Sequence, residues 1–376
     1  MMVCWLAKML KNYMRELFRV LKFILYKLKY NITFERYIKS NYADTIIFTH
    51  NLGGGTEQYV KNSFSNINCL IVRNVAPYKR FGFSIIENTI SNMKTFICNN
   101  QISILFSYYY KNIIINSVTD DSNALDIIKL CVELKNQNKD THLLYLIHDY
   151  NSICPTNFLI VNGIYCECKC NYFQCKTNPP IQEWRKCWQI FLQSCNEIRC
   201  FSNSSKEIVT SVYPELSQDK ITVIPHDMSY SRFAPIIVQK HSAPVVAVVG
   251  RCVNVAKGSA VILLLLNKIS EKVRVVFVGT EKKELEGCIV SKNVVFLGKY
   301  RHDQLRDILV REKVTHTILP SICPETFSYL VSELIQMQLP IFCFNIGAQA
   351  EKVSRYEKGV VCSNIEEMSA QINQLV

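Results

Sequence analysis

Residues 315–333 read THTILPSICPETFSYLVSE, and this stretch decides the fold. Residues 315–319 are largely β-branched and apolar, which predicts a buried strand. Pro324 stands where a helix can begin, because its missing N–H would be unpaired there in any case. We therefore expect a strand, a turn and a helix that starts near Glu325, which is the repeating unit of a sheet covered by helices.

Glu325 and Glu333 are eight positions apart, so a helix starting at Glu325 would carry both carboxylates near one face. Helices often carry acids on a solvated face, but the residues between these two are mostly apolar. The unpaired backbone N–H groups of Thr326, Phe327 and Ser328 would point out of the helix start, where they can bind an anion. The pattern predicts an anion site beside two acids.

Two cations follow a second apolar strand, PVVAVVG at 244–250, which suits the middle of a parallel sheet. Arg251 comes directly after this strand, and Lys257 precedes the next predicted helix. Basic residues in loops are commonly only solvated. At the carboxyl end of a strand, however, a guanidinium and an ammonium together suit a diphosphate.

A glycine-rich turn follows the first convincing strand, TIIFT at 45–49. Gly54 and Gly55 lie in this turn before a predicted helix, where glycine lets the backbone close on a ligand. A tight turn without a ligand is the alternative. His148 follows another predicted strand, at 142–147, and by position alone it has either a structural role or a substrate-contact role.

Predicted strands and helices alternate along the chain, which is typical of parallel sheets. Further strands are expected at 68–72, 102–106, 112–118, 197–201, 273–279 and 293–298. Helices are expected at 123–136, 181–194, 204–213, 302–311 and 364–375.

Motifs in a fixed order support these predictions: GGGTE at 53–57, His148, VIPHD at 223–227, GRCVNVAKG at 250–258, FVG at 277–279, FLG at 296–298, PETFSYLVSE at 324–333 and GAQAE at 347–351. In this set the chain resembles the retaining glycosyltransferases of the GT-B fold, family 4 (group 1), over residues 45–362. Residues 148–175 further resemble the members that build rhamnose-containing cell-surface polysaccharides.

The resemblance implies an α/β protein of the GT-B fold, with two Rossmann-like parallel-sheet domains facing a central cleft. We expect a basic helical segment at 1–40, an acceptor-side domain at 41–238 with a cysteine-rich loop at 150–180, and a nucleotide-sugar domain at 239–376. Residues 228–243, with Pro235, are expected to form the hinge between the domains.

The resemblance also implies the roles of the site residues. Arg251 and Lys257 would neutralise the diphosphate of a nucleotide-sugar, Glu333 would bind the nucleotide ribose, and Glu325 the sugar hydroxyls. His148 would contact the transferred sugar. The glycine-rich loop would lie near the donor diphosphate and the acceptor, a glycan or a lipid-linked molecule, and the loop with Gly347 and Glu351 would close over the sugar. No metal or cofactor would be required, and the anomeric configuration would be retained.

Three positions depart from the family pattern, which usually has glycine where this chain has Asp227, Ser328 and Ala348. They leave open a catalytically idle subunit that binds sugar or acts as a scaffold at the membrane. A GT-B epimerase would need further carboxylates, and a phosphorylase would need a cofactor lysine or an extra phosphate site; the sequence contains no motif for either.

The net charge of +12 is concentrated at the start of the chain, where residues 1–40 hold nine Lys/Arg residues and two acids. Residues 5–30 predict one amphipathic helix that can lie on an anionic membrane surface; packing on the protein, or a remnant linker, is the alternative. Phe23 falls among its basic residues. Without a signal peptide or a recognisable nucleic-acid module, we expect a cytoplasmic protein, peripheral on the inner face of the cell membrane, that binds no nucleic acid.

Seventeen cysteines without a secretory leader indicate a reducing compartment. Five of them cluster in the loop that follows His148. Four thiolates could hold a structural zinc ion, and Cys154, Cys166, Cys170 and Cys175 are the candidate ligands. The spacing is not that of paired C-x-x-C knuckles, so free thiols are the other interpretation.

Overall fold

The structure is a computed structural model of the 376-residue chain. It describes residues 2–29, 34–50, 52–74, 83–119, 124–238, 243–285 and 293–376. The chain forms two compact units, which interleave in sequence. The N-terminal unit holds Met1–Pro155, Gln182–Arg199 and Glu215–Thr222, and the C-terminal unit holds Thr156–Ile181, Cys200–Pro214 and Val223–Val376. The predicted boundary at 238/239 adjoins 239–242, which lie outside the described residues.

The α-helices of the described residues, in chain order, are α1 Met2–Lys29, α2 Phe34–Ser40, α3 Gly55–Phe64, α4 Ala124–Gln137, α5 Cys170–Phe173, α6 Ile181–Ser194, α7 Asn203–Val212, α8 Ser259–Leu266, α9 Leu305–Arg311, α10 Tyr329–Gln336, α11 Gly347–Val353 and α12 Ile365–Asn373. Short 3-10 helices cover Asn99–Ser107, Gln218–Lys220, Lys282–Glu284 and His302–Gln304.

The N-terminal unit is built on an eight-stranded sheet, with β1 Thr45–His50, β2 Leu70–Asn74, β3 Phe83–Asn88, β4 Lys94–Cys98, β5 Asn112–Ile115, β6 His142–Leu146, β9 Glu197–Cys200 and β10 Ile221–Val223. Its order is β10-β9-β6-β5-β1-β2-β3-β4. The central pairs are parallel, while β2, β3 and β4 form an antiparallel edge. The buried strand β1 lies at the point where the strand order reverses.

The C-terminal unit is built on a six-stranded parallel sheet, with β11 Val245–Val249, β12 Arg274–Val278, β13 Val294–Phe296, β14 His316–Leu319, β15 Ile341–Phe344 and β16 Gly359–Cys362. Its order, β13-β12-β11-β14-β15-β16, is the 3-2-1-4-5-6 order of a Rossmann fold. Apolar side chains form one buried cluster on each of its faces. A small antiparallel hairpin, β7 Ile160–Val161 with β8 Ile164–Tyr165, precedes α5.

Two details differ from the sequence predictions. The predicted strand at 102–106 is part of a 3-10 helix, and the antiparallel strands β3 and β4 were not predicted. The hinge expected at 228–243 stays a prediction; its described part, 228–238, belongs to the C-terminal unit and is hydrogen-bonded within it. Phe233 N donates to Gln336 Oε1 at 3.0 Å and Ile236 N to Met337 O at 2.8 Å.

Helix α1 packs on the N-terminal unit through the residue that breaks its amphipathic pattern. The Phe23 ring lies 5.5 Å from Phe96 of β4, edge to face, beside the buried Ile85 of β3. The half-buried residues Glu16 and Val20 precede Phe23 at helical spacing, so one face of the helix lies against the sheet edge. Among the described residues, no helix is long and apolar enough to cross a membrane.

Candidate active site

The strand order of the C-terminal sheet reverses between β11 and β14, which are paired neighbours. At such a switch point the two following loops diverge, and ligands of α/β proteins bind in the crevice outside the carboxyl ends of the strands. Arg251 and Lys257 lie in the loop after β11, and Glu325 lies in the loop after β14. The topology alone therefore brings the residues that are predicted to bind the diphosphate and the sugar to the same edge of the sheet.

Lys257 and Glu325 form an ion pair at this point. Lys257 Nζ lies 2.5 Å from Glu325 Oε1, and Ser321 Oγ donates to the same oxygen at 3.2 Å. Gly258 allows this close approach of the two loops, because a Cβ there would lie 1.9 Å from Pro320 O. The Glu325 side chain is 16% exposed and that of Lys257 is 42% exposed, so a ligand can still reach the ammonium.

The ion pair sets the charge of both residues. Burial would raise the pKa of Glu325, but the charge of Lys257 and its hydrogen bond outweigh burial and hold this pKa below its usual value. Burial would lower the pKa of Lys257, and the charge of Glu325 reverses the effect and raises it. Both groups are therefore ionised at neutral pH, one able to bind phosphate and the other to accept hydrogen bonds.

Arg251 binds a different carboxylate. Its Nη2 and Nε lie 2.7 and 3.1 Å from Glu284 Oε1, and its side chain is 62% exposed. The pair borders a surface pocket of about 600 Å³, lined also by Ser259 and Leu263 of α8. The Arg251 guanidinium is largely exposed, so a ligand can reach it beside Glu284. The diphosphate role of Arg251 stays a prediction.

The predicted helix start at Glu325 is wrong, because α10 begins at Tyr329. Glu325 lies in the preceding loop, so the two glutamates do not share a helix face. Ser328 is the N-cap residue and has a left-handed backbone, with φ 61° and ψ 83°, which explains why glycine suits this position. The amides that open the helix therefore follow Ser328, while Thr326 and Phe327 belong to the loop.

The start of α11 fixes the Glu325 loop. Ala348 N donates to Glu325 O at 2.9 Å, and the buried Gln349 accepts from Glu325 N at 3.0 Å and donates to Cys323 O at 2.8 Å. Gly347 has φ 66°, and a Cβ there would lie 2.6 Å from Pro324 Cα. These contacts keep the backbone around Glu325 from forming a helix. Pro324 alone predicts a helix start and gives no indication of contacts with α11.

Glu351, predicted in a loop over the sugar, lies in the helix α11 and binds the start of α7. Its Oε1 and Oε2 accept hydrogen bonds from Asn203 Nδ2 and from Ser204 N, each at 2.9 Å. Ala348 is fully buried within α11, where a helical backbone needs no glycine. Asp227 has no positive φ either, and it accepts hydrogen bonds from Ser229 N and Oγ.

Glu333 is the buried acid of the region, with its side chain 8% exposed. His302 Nε2 lies 2.7 Å from Glu333 Oε1, and the buried Ser231 Oγ donates to the same oxygen at 3.2 Å. Neither partner was singled out from the sequence, since both lie far along the chain from Glu333. The pair fixes one oxygen of the carboxylate, a suitable arrangement for binding hydroxyl groups.

Phe327 lies in an aromatic cluster around His226. The His226 ring stacks on Phe201 at 3.9 Å and meets Phe327 edge to face at 4.5 Å. Burial, with a smaller contribution from the charge of Lys352, lowers the pKa of His226 to about 3. His226 is therefore neutral at neutral pH and packs as an aromatic ring.

In the N-terminal unit, the predicted residues also follow strands of the sheet. Gly54, the N-cap of α3, has φ 79°, a conformation that favours glycine, and open space lies where its Cβ would be. Gly55 is the first residue of α3, just after β1 at the switch point of that sheet. His148 follows β6, and its ring meets Tyr59 of α3 at 4.9 Å.

The candidate zinc ligands gain no support. Across the described ranges, the structure contains no group of three or more His, Cys, Asp or Glu side chains that could hold a metal ion. Cys154 belongs to the N-terminal unit, while Cys166, Cys170 and Cys175 belong to the C-terminal unit. Cys166 is buried, and Cys170 and Cys175 are partly exposed.

Comparisons with known proteins agree with this architecture. Residues 243–376 match the family model described as glycosyl transferases group 1. The structure is similar to sucrose-phosphate synthase from Thermosynechococcus elongatus, with a TM-score of 0.60, 14% identity, and 88% and 89% of the two chains covered. No curated protein matches the sequence.

Two further solved structures have a similar TM-score, sequence identity and coverage. Anabaena HepE, solved with UDP and glucose, gives a TM-score of 0.57, 14% identity, and coverage of 88% and 89%. The lipopolysaccharide outer core galactosyltransferase WaaB gives 0.55, 13% identity, and coverage of 88% and 90%. At such low identity these likenesses show the fold, and they confirm the predicted GT-B class with two Rossmann-like domains.

The chain therefore has the GT-B fold. Within that fold, residues 243–376, which are 134 of the 376 residues, match the glycosyl transferases group 1 model, in agreement with the resemblance noted in the sequence.

Proposed function

We propose that the protein is a retaining glycosyltransferase that moves a sugar from a nucleoside-diphosphate donor to a glycan or lipid-linked acceptor in cell-surface polysaccharide synthesis. The observation that carries the proposal is the Lys257–Glu325 ion pair at the switch point of the C-terminal sheet. A cation beside an ionised carboxylate suits a ligand that joins a diphosphate to a sugar, because one binds phosphate and the other binds hydroxyls.

In the proposed reaction, the bond between the anomeric carbon and the diphosphate oxygen breaks. The acceptor hydroxyl oxygen forms a bond to that carbon on the same face, and its proton passes to an oxygen of the departing diphosphate. Lys257 and Arg251 stabilise the negative charge that develops on the diphosphate, so the scheme needs no metal ion. Arg251 takes part by exchanging Glu284 for a phosphate.

The remaining donor contacts come from the loop after β14 and from α10. Backbone N–H groups after Ser328, at the start of α10, bind the diphosphate, and Thr326 and Phe327 line the donor. Glu333, with one oxygen held by His302, accepts hydrogen bonds from the ribose. Glu325 binds the sugar hydroxyls.

In the N-terminal unit, the glycine-rich loop and His148 are proposed to contact the substrates. Gly54 and Gly55 leave the backbone open to a ligand at the end of β1, since no atom occupies the place of a Cβ at Gly54. His148 contacts the transferred sugar. The UDP and glucose bound by HepE, and the galactosyltransferase activity named for WaaB, support a nucleotide-sugar donor.

Proton NMR of the sugar released from a panel of nucleotide-sugars tests the reaction directly. We expect hydrolysis of the preferred α-linked donor to release the α-anomer first, because water replaces the acceptor on the retained face. An initial β-anomer would contradict retention. Absence of turnover with every donor, together with intact nucleotide binding, would favour the catalytically idle subunit.

We also propose that α1 binds the inner, anionic face of the cell membrane. Ten of its apolar side chains are 42–68% exposed: Met9, Leu10, Tyr13, Met14, Leu17, Phe18, Leu21, Ile24, Leu25 and Leu28. Most of them lie on the side of the helix that faces away from Phe23, and their exposure shows that packing on the described part of the protein leaves them uncovered. Basic residues such as Lys11, Arg15 and Lys22 flank this stripe, and each contributes roughly 1 kcal/mol near an anionic surface.

Vesicle binding tests this partner with three substitutions on the stripe, Leu17→Gln, Leu21→Gln and Leu25→Gln. We expect the triple variant to bind phosphatidylserine vesicles at least tenfold more weakly, because the buried apolar area drives insertion. Ile190→Gln, on the exposed face of α6, is the matched control and should bind like the wild type. Equal binding by the triple variant, or equal binding to neutral vesicles, would refute the proposal.

A further inference from the structure

Lys352 of α11 places its ammonium against the beginning of α10. Its Nζ lies 2.6 Å from Ser332 Oγ and 3.2 Å from Ser328 O, and 3.2 Å from the centroid of the Phe327 ring. All three partners come from residues 327–332, the segment that leads from the Glu325 loop into the helix. One lysine therefore joins the side chains and backbone around the helix start.

The residue that Lys352 contacts has an unfavourable backbone conformation. Ser328 is 7% exposed and left-handed, a conformation in which a Cβ crowds the neighbouring carbonyl. Its carbonyl accepts the first helical hydrogen bond, from Ser332 N, at a long 3.5 Å. Lys352 supplies a charged donor to that same carbonyl, at a position where a glycine would have needed no such support.

We propose that Lys352 is a positioning residue that holds Ser328 in its left-handed conformation and so aims the first N–H groups of α10 at the donor diphosphate. The inference rests on the proposed donor site. In this inference the effects of Ser328 and Lys352 are coupled. The lysine offsets the backbone strain that serine introduces at a position where glycine would be unstrained.

The surroundings of the ammonium suit this role. Burial lowers the pKa of Lys352 to about 7, while the charges of Glu325 and Glu351 partly oppose that change. His226, which meets the same Phe327 ring edge to face, is neutral at pH 7. With a pKa near 7 the Lys352 amine is only partly charged at neutral pH. Both of its forms have N–H groups to donate to the Ser328 carbonyl and the Ser332 hydroxyl, and the charged form is also stabilised by the face of the Phe327 ring.

A double-mutant cycle tests the coupling, with UDP as the calorimetric probe. It uses the wild type, Lys352→Met, Ser328→Gly and the combination; methionine keeps the apolar stem and removes the donors. We expect Lys352→Met to raise the Kd for UDP at least tenfold when residue 328 is serine, and less than threefold when it is glycine. Lys358→Met is the matched control, because Lys358 also donates to the carbonyl of a left-handed residue, Gln338, outside the site.

Equal losses of UDP affinity in the serine and glycine backgrounds would overturn the inference, as would a similar loss in Lys358→Met. Thermal unfolding of the same four proteins separates this result from failure of the donor site. If the wild type does not bind UDP, a smaller loss of Tm from Lys352→Met in the glycine background still supports the Lys352–Ser328 coupling. Equal losses of Tm would then overturn it.

Discussion

Replacing Lys257 with alanine is expected to raise the Kd for UDP about 100-fold. The variant loses a charge-assisted contact to the diphosphate, worth about 1.5–3 kcal/mol, and 2.7 kcal/mol corresponds to that factor. It also leaves the carboxylate of Glu325 largely buried without its cation, so the free energy of unfolding should fall by about 1–3 kcal/mol. Isothermal titration calorimetry measures the first effect and urea unfolding the second.

Lys268→Ala is the matched control for this experiment. Lys268 lies just beyond the end of α8 and pairs with Glu366 at 3.4 Å on the surface, so it shares the charge of Lys257 but not its place. Its removal should leave the Kd for UDP unchanged within error. A Kd for Lys257→Ala within threefold of the wild type would remove the lysine from the donor site.

Gly347→Ala is expected to lower the free energy of unfolding by about 3 kcal/mol, mainly through steric overlap. The new Cβ would lie 2.6 Å from Pro324 Cα and 2.7 Å from Glu325 N, both backbone atoms that cannot rotate away. The φ of 66° adds about 1–2 kcal/mol of strain for any L side chain. Because the overlap displaces the Glu325 loop, UDP binding should weaken as well.

Gly163→Ala isolates the effect of strain alone. Gly163 has φ 79°, but the nearest atom to its Cβ would be Val255 Cγ1 at 4.0 Å, so no overlap arises. We expect a loss of about 1 kcal/mol and unchanged UDP binding. Equal destabilisation by the two substitutions in urea unfolding would show that contact with the Glu325 loop is not what requires glycine at position 347.

The parallel sheets could be predicted from the sequence because their strands are short, apolar runs between helices. The predicted strands at 244–250 and 315–319 are found as β11 and β14, each shorter than predicted by one or two residues. The strand predicted from the apolar run at 102–106 was wrong, since length and hydrophobicity alone do not distinguish a strand from a short helix. The antiparallel pair β3 and β4 interrupts the strand–helix alternation on which the prediction relied.

The site residues that belong to a recognisable sequence motif could be predicted, and their partners from other parts of the chain could not. Lys257 was chosen from a predicted loop and Glu325 from a predicted helix start, and the structure pairs them. The start of α10 was placed too early because contacts from Gly347 and Gln349, distant in sequence, decide the path of the loop. Lys352 has no local signal at all, since its partners lie 20 and 24 positions away.

A thermal-shift screen against nucleoside diphosphates and nucleotide-sugars tests the central claim, that the C-terminal unit holds a donor site, most directly. A ligand at 100 times its Kd stabilises the folded state by about 2.7 kcal/mol, which corresponds to a rise in Tm of roughly 3–4 °C for a 376-residue chain that unfolds as one unit. We expect one nucleotide to produce such a rise and Glu333→Ala to abolish it. No rise with any nucleotide, or the same rise in Glu333→Ala, would contradict the donor site.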